Sequence, residues 1–417
     1  MNKTPEELYK QRLKRIEDAI QLKVPDRVPF FPITHFYAAK HVGMAAEEAF
    51  YQTEKWFTAN KQMNIDLEPD LYCPPATAVY PGRSLDILGC TQIKWPGHGI
   101  PPNSTYQFVE GEYMKADEYD AFLNDPADYI VRLYLPRIFK TLEPLQKLPS
   151  ITALFIQGYK GSLTSAVLAN PEIAKAFEYL YKAGVEAANY LAQSAQFDKE
   201  MAALGFPQGV GVSVYVAFDY ISDMLRGMRG IMLDMYRRPD KLIEAMDRIF
   251  PVLTGAAVAG AKRSGNPRVF IPLHRGSDGF LSRKQFETFY WPWMKKLFLT
   301  LIGEGLTPCP FVEGDYASRL EYFGDLPKGK IMAFMDATDI FRAKEVLGDR
   351  ICIAGNMPVS LLQMGTPDQI KEYTKKLIDV VGKGGGFVMS ARTVLDDARP
   401  ELVKVWADFT RKYGVYS

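Results

Sequence analysis

An apolar run, Ile351–Ala354, meets Gly355 and Asn356; a helical stretch, Pro367–Val381, follows, and Gly384–Gly386 then admit a second apolar run, Phe387–Met389. Two short apolar runs joined by an amphipathic helix specify a βαβ unit, because parallel strands require a crossover of about this length. A parallel sheet puts its strand ends, and the loops after them, on one face, where ligands usually bind.

The same alternation extends over most of the chain. After a charged, amphipathic helix over 5–21, the segment Asp26–Ile33 reads as a turn feeding an apolar strand, and 45–63 returns to a helical period. Further helices are expected at about 127–143, 172–198, 239–263 and 283–303. Apolar runs near 152–157, 267–273, 307–312, 331–335, 351–354 and 386–389 are the expected strands. So many β/α repeats without a linker favour a closed (β/α)8 TIM-type barrel over an open sheet, as one domain spanning 1–417. Residues 73–116 break the pattern with Pro and Gly, and are expected to form an inserted loop region, lid-like beside the barrel mouth.

Charge and cysteine content narrow the function classes. Lys plus Arg (50) balance Asp plus Glu (49), and no basic block interleaves with aromatics, so a nucleic-acid partner is not expected. Cys73, Cys90, Cys309 and Cys352 form no Cys-x-x-Cys pair, which suits a reducing compartment. Neither a signal peptide nor a membrane span is expected at the N-terminus, and the location expected is the cytoplasm.

Three segments together resemble the uroporphyrinogen decarboxylase superfamily: Asp26–Pro29, Leu281–Pro292, and the unit from Gly355 to Gly386. The superfamily holds the decarboxylase itself and anaerobic, corrinoid-linked methyltransferases. The resemblance implies a (β/α)8 barrel with its site at the C-terminal strand ends. The decarboxylase binds a polycarboxylate tetrapyrrole with an Arg-rich segment soon after the first strand; here no arginine occurs between Arg27 and Arg83. Substrate carboxylates would be left without cations, at several kcal/mol per ion. The methyltransferase branch is therefore the closer resemblance, and it implies zinc at the site and a corrinoid on a partner protein.

That zinc is held in the branch by His-x-Cys-Gly and a later Cys. Laid on this chain, the histidine position carries Phe311, the first cysteine Glu313, the glycine Gly314, and the later cysteine Arg392. A thiolate site is not expected. His274 and Glu313, each closing an apolar run, could instead form a His/carboxylate site open to a metal. Arg275 and Arg392 could bind an anionic group of the substrate; the structural alternative pairs Glu313 with Arg392 or Arg275.

His274, Arg275 and Asp278 lie in a loop after a strand, where barrel enzymes carry catalytic groups, and Ser282 is expected to cap the next helix. Asp336 ends another apolar run and could orient a ligand or cap a helix from Thr338. Asn356 is expected to shape a loop. In the insertion, Trp95, His98 and Tyr113 could close over a small-molecule substrate. Tyr290, Trp291 and Trp293 could line a pocket or the face of a homodimer. The leading expectation is methyl transfer between a small methylated substrate and a corrinoid protein. Decarboxylation of a tetrapyrrole or other carboxylate, and a barrel that only binds its ligand, are the alternatives.

Overall fold

A computed structural model describes residues 3–416. Six parallel strands, Val212–Ser213, Arg268–Pro272, Thr307–Val312, Met332–Met335, Cys352–Met357 and Phe387–Ala391, hydrogen-bond in that order. Two shorter extended segments close them into a ring. Phe30 pairs in parallel with Met389, and Tyr72 with Gln208; between these two segments the Asp70 N–H donates to the Phe30 carbonyl at 2.8 Å. The result is an eight-membered TIM-type barrel in which each element lies beside its sequence neighbours.

The strands read as unbroken apolar runs because both of their faces are covered. Phe31, Leu71, Cys309, Phe311, Met332, Phe334, Cys352, Ala354 and Val388 fill the interior, and Ile16, Ala19 and Ile20 of the helix Pro5–Ile20 join this cluster. That helix plugs the N-terminal end of the barrel. Alternate strand residues, among them Val269, Ile271, Val312, Ala333, Ile353 and Met389, pack outward with the surrounding helices. The Asp26–Pro29 segment has a structural task here: Arg27 donates to Asp70 at 2.9 Å, Arg15 bonds both Asp26 and Asp70, and the Asp70 carboxylate also accepts the Phe30 N–H.

The apolar run at 152–157 is no strand. Ser150 accepts from the Ala153 N–H and starts the helix Ile151–Phe155, and Leu154 enters a satellite core with Leu142, Leu145 and Ile173. A short apolar run carries no period, so the cap decides the outcome. Residues 73–116 leave the barrel after Tyr72. They form the helix Gly82–Leu88 and a small sheet of Ile93–Pro96, Gly99–Ile100 and Gln107–Phe108. The excursion continues in short helical turns up to the long helix Pro171–Ala203. Asn356 lies within the strand Cys352–Met357, not in a loop. Among the described residues no helix is long and apolar enough to cross a membrane.

Candidate functional site

A cavity of about 540 Å³ opens at the C-terminal strand ends. Tyr80, Ile93, Tyr106 and Phe108 of the insertion, with Phe139 and Tyr215, give it apolar and aromatic walls; Asp223, His274, Arg275 and Glu313 form its charged end. Convergence of a few polar groups on an otherwise apolar pocket is the usual character of a small-molecule site.

His274 is held from both sides. Its Nδ1 meets Asp223 Oδ2 at 2.5 Å, and its Nε2 faces Glu313 Oε1 at 3.5 Å. Asp223 comes from a π-helical turn, Ile221–Arg226, that follows the strand Val212–Ser213. Four residues earlier, the fully buried Asp219 accepts the backbone N–H groups of His274 and Arg275 at 3.2 and 3.0 Å, and the Tyr290 hydroxyl at 2.6 Å. This carboxylate fixes the loop after Arg268–Pro272, as second partners commonly orient catalytic groups. Tyr290 serves it from the core, so the Tyr290–Trp293 aromatics build scaffold beside the site. Ser282 caps the next helix with a reciprocal capping box to Gln285.

Electrostatics makes the imidazole a proton holder. Burial alone would lower its pKa, but the Asp223 hydrogen bond and the charges of Glu313 and Asp219 outweigh that, and the pKa rises to about 9. Burial raises the Glu313 carboxyl, with nearby Asp336 adding to the shift and His274 opposing it. Burial also pushes Asp219 up, to about 7, against its three hydrogen-bond donors. Near neutrality the cavity therefore presents an imidazolium facing Glu313, an arrangement suited to delivering a proton. Arg275 is already engaged, by Asp223 at 3.0 Å and by Glu110 of the insertion at 3.3 Å.

The other sequence candidates lie outside this cavity. Asp278 turns to Arg319 at 2.6 Å and to the Ser318 hydroxyl at 2.7 Å, and locks the loop. Arg392 pairs with Asp336 at 3.1 Å, not with Glu313, and Asp336 also accepts the Gly314 N–H at 2.9 Å. The helix from Ile340 is capped by Asp339, not Asp336. Trp95 stacks on His98 with ring centroids 4.7 Å apart, and both bond the Tyr51 hydroxyl, which holds them against the helix Ala46–Tyr51. Tyr113 donates to the Val109 carbonyl and braces the insertion.

The thiolate set of the family's zinc site is absent here: Phe311 is buried and stacks on Phe270, and Arg392 is a cation, which leaves His274 and Glu313 as the two facing donors. Among the described residues no three His, Cys, Asp or Glu side chains group as a metal site. The four cysteines are free thiols, with Cys309 and Cys352 buried in the barrel interior.

A parallel eight-membered barrel with its polar cavity at the C-terminal strand ends defines the class: a TIM-barrel protein with its site in the position usual for that fold. The uroporphyrinogen decarboxylase (URO-D) family matches residues 181–413, more than half of the chain, and the chain belongs to that family. The uroporphyrinogen decarboxylase of Syntrophotalea carbinolica is 24% identical over 172 residues, which cover 40% of this chain and 47% of that protein. That of Chlorobium phaeovibrioides is 33% identical over 78 residues, 18% of this chain and 22% of the other. The chain thus matches less than half the length of these relatives. Over nearly its whole length the fold resembles that of a methyltransferase from Methanosarcina mazei, with a TM-score of 0.61, 16% identity, and coverage of 96% of this chain and 98% of that one. At that identity the likeness concerns the fold.

Proposed function

We propose that this chain is a URO-D-like enzyme that transfers a methyl group from a small methylated substrate to the Co(I) of a corrinoid carried by a separate protein. The observation that carries the reading is His274, protonated between Asp223 and Glu313 at the end of an aromatic-walled cavity. A methyl group on oxygen or nitrogen leaves only if the heteroatom it abandons is stabilised, and protonation does this where no metal is bound. In the balanced step the carbon–heteroatom bond breaks, its electron pair stays on the heteroatom and takes the His274 proton, and the methyl group forms a bond to cobalt. Asp223 keeps the imidazole oriented, and Glu313 passes a proton back to it or holds the substrate heteroatom. The aromatic walls exclude water from the leaving group.

Charge counts against a tetrapyrrole substrate. The cavity's two cations, His274 and Arg275, face two carboxylates, Asp223 and Glu313, which leaves no surplus positive charge for a polycarboxylate. Decarboxylation of a smaller acid is the second reading, favoured by the same proton donor, which would protonate the carbon left by CO2. The test mixes the protein with cob(I)alamin and a panel of aryl methyl ethers, methylamines and methyl thioethers, and follows loss of the Co(I) spectrum. Methylcobalamin formation that His274→Gln abolishes is the expected result; CO2 release from a carboxylate without methyl transfer would replace the first reading by the second.

A further inference from the structure

A second cavity lies away from the mouth. A cleft of about 800 Å³ runs along the outside of 208–213, between the helices Pro171–Ala203 and Pro239–Ser264, and reaches the N-terminal end of the barrel beside the plug helix. Arg268 stands at its inner end. It opens the strand whose other end leads to His274, so cleft and mouth lie at opposite ends of one strand.

Arg268 is only 4% exposed, and among the described residues it forms no ion pair. Its Nε donates to the Gly209 carbonyl at 2.6 Å and its Nη2 to the Gln208 carbonyl at 2.8 Å. Among the described residues Nη1 makes no hydrogen bond, and it is not fully enclosed, so it opens on the cleft that Arg268 lines. Neutral carbonyls satisfy N–H groups but do not cancel a buried charge; Glu17, which lines the same cleft, offsets part of it without forming an ion pair, so the guanidinium keeps donors for a further anion. The free end of the guanidinium, Nη1 with the second Nη2 N–H, has the two parallel donors that match a carboxylate. Arg263, at the rim, also forms no ion pair among the described residues.

We infer that this cleft binds a monoanionic amphiphile, its carboxylate on Arg268 and its apolar body along Leu191, Ala195 and Val210. A single negative charge is argued from the other occupants of the cleft. Glu17 and Asp198 line it too, and would repel a multiply charged phosphate. Asp198 is tied to the Tyr72 hydroxyl at 2.6 Å and the Gln208 amide at 3.3 Å, so it remains in place when the ligand enters. The inference is independent of the chemistry at the mouth.

Calorimetric titration with octanoate, 1-octanol and octyl phosphate tests it on the full chain. Octanoate should bind at one site, and 1-octanol and octyl phosphate more weakly. Arg268→Met should weaken octanoate by about tenfold or more, the value of a charge-assisted hydrogen bond. Should that variant fold poorly, Ala195→Phe fills the cleft from an exposed helix position and should weaken octanoate with folding intact. His274→Gln should leave the affinity unchanged. Absence of octanoate binding, equal binding of 1-octanol, tighter binding of octyl phosphate, or loss in His274→Gln each overturns the assignment.

Discussion

His274 keeps its proton because Asp223 and Glu313 face its two nitrogens, and this makes the residue testable by titration. Asp223→Asn removes the largest influence raising the imidazole pKa and leaves burial opposed only by the charges of Glu313 and Asp219. The His274 pKa should drop from about 9, read by NMR of the ring protons. The same shift has a stability consequence. A folded-state pKa above the unfolded value stabilises the protein fully below about pH 6.5, and that contribution is lost as pH rises toward 9. Asp278 should behave differently. It neutralises the buried Arg319, which also donates to the Gly276 and Leu281 carbonyls, so Asp278→Ala should cost about 3 kcal/mol in denaturant unfolding. Full stability with lost turnover would return Asp278 to a catalytic role. His274 and Glu313 were legible in the sequence because each closes an apolar run. Asp219 and Asp223 were not: they sit in helical turns after a strand only two residues long, where no pattern marks a strand end.

At the scale of elements, the insertion is fastened to the site by charge. Glu110 reaches Arg275 at 3.3 Å with one oxygen and the Met228 N–H with the other, while Arg226 bonds both Glu112 and the Met114 carbonyl. Glu110→Gln weakens the first of these ties. Amide exchange over 107–116 should rise, with little change in melting temperature, because these pairs are partly exposed and each stabilises by about 1 kcal/mol or less. Unchanged exchange would mean that packing of Phe108 and Tyr106 alone holds the segment. Strands buried on both faces were readable as apolar runs, and the capped helices as periods between them. The run at 152–157 misled because its cap, Ser150, and its small partner core decide helix over strand, and neither is a property of the run itself.

In the whole molecule a closed barrel carries His274 between two carboxylates at its mouth, with no surplus positive charge. Barrel closure was legible from the number of β/α repeats, although the segments at 28–33 and 70–73 enter it through single bridges that no run length reveals. The proposal that the substrate yields its methyl group on protonation rests on the His274 environment, and it has a direct measurement. The rate of methylcobalamin formation, from whichever methyl donor of the panel reacts, is to be followed against pH in single turnovers. The account predicts a rate that falls as pH rises through about 9, where His274 loses its proton, with the fall displaced to lower pH in Asp223→Asn. A rate independent of pH across that range in both proteins would contradict it.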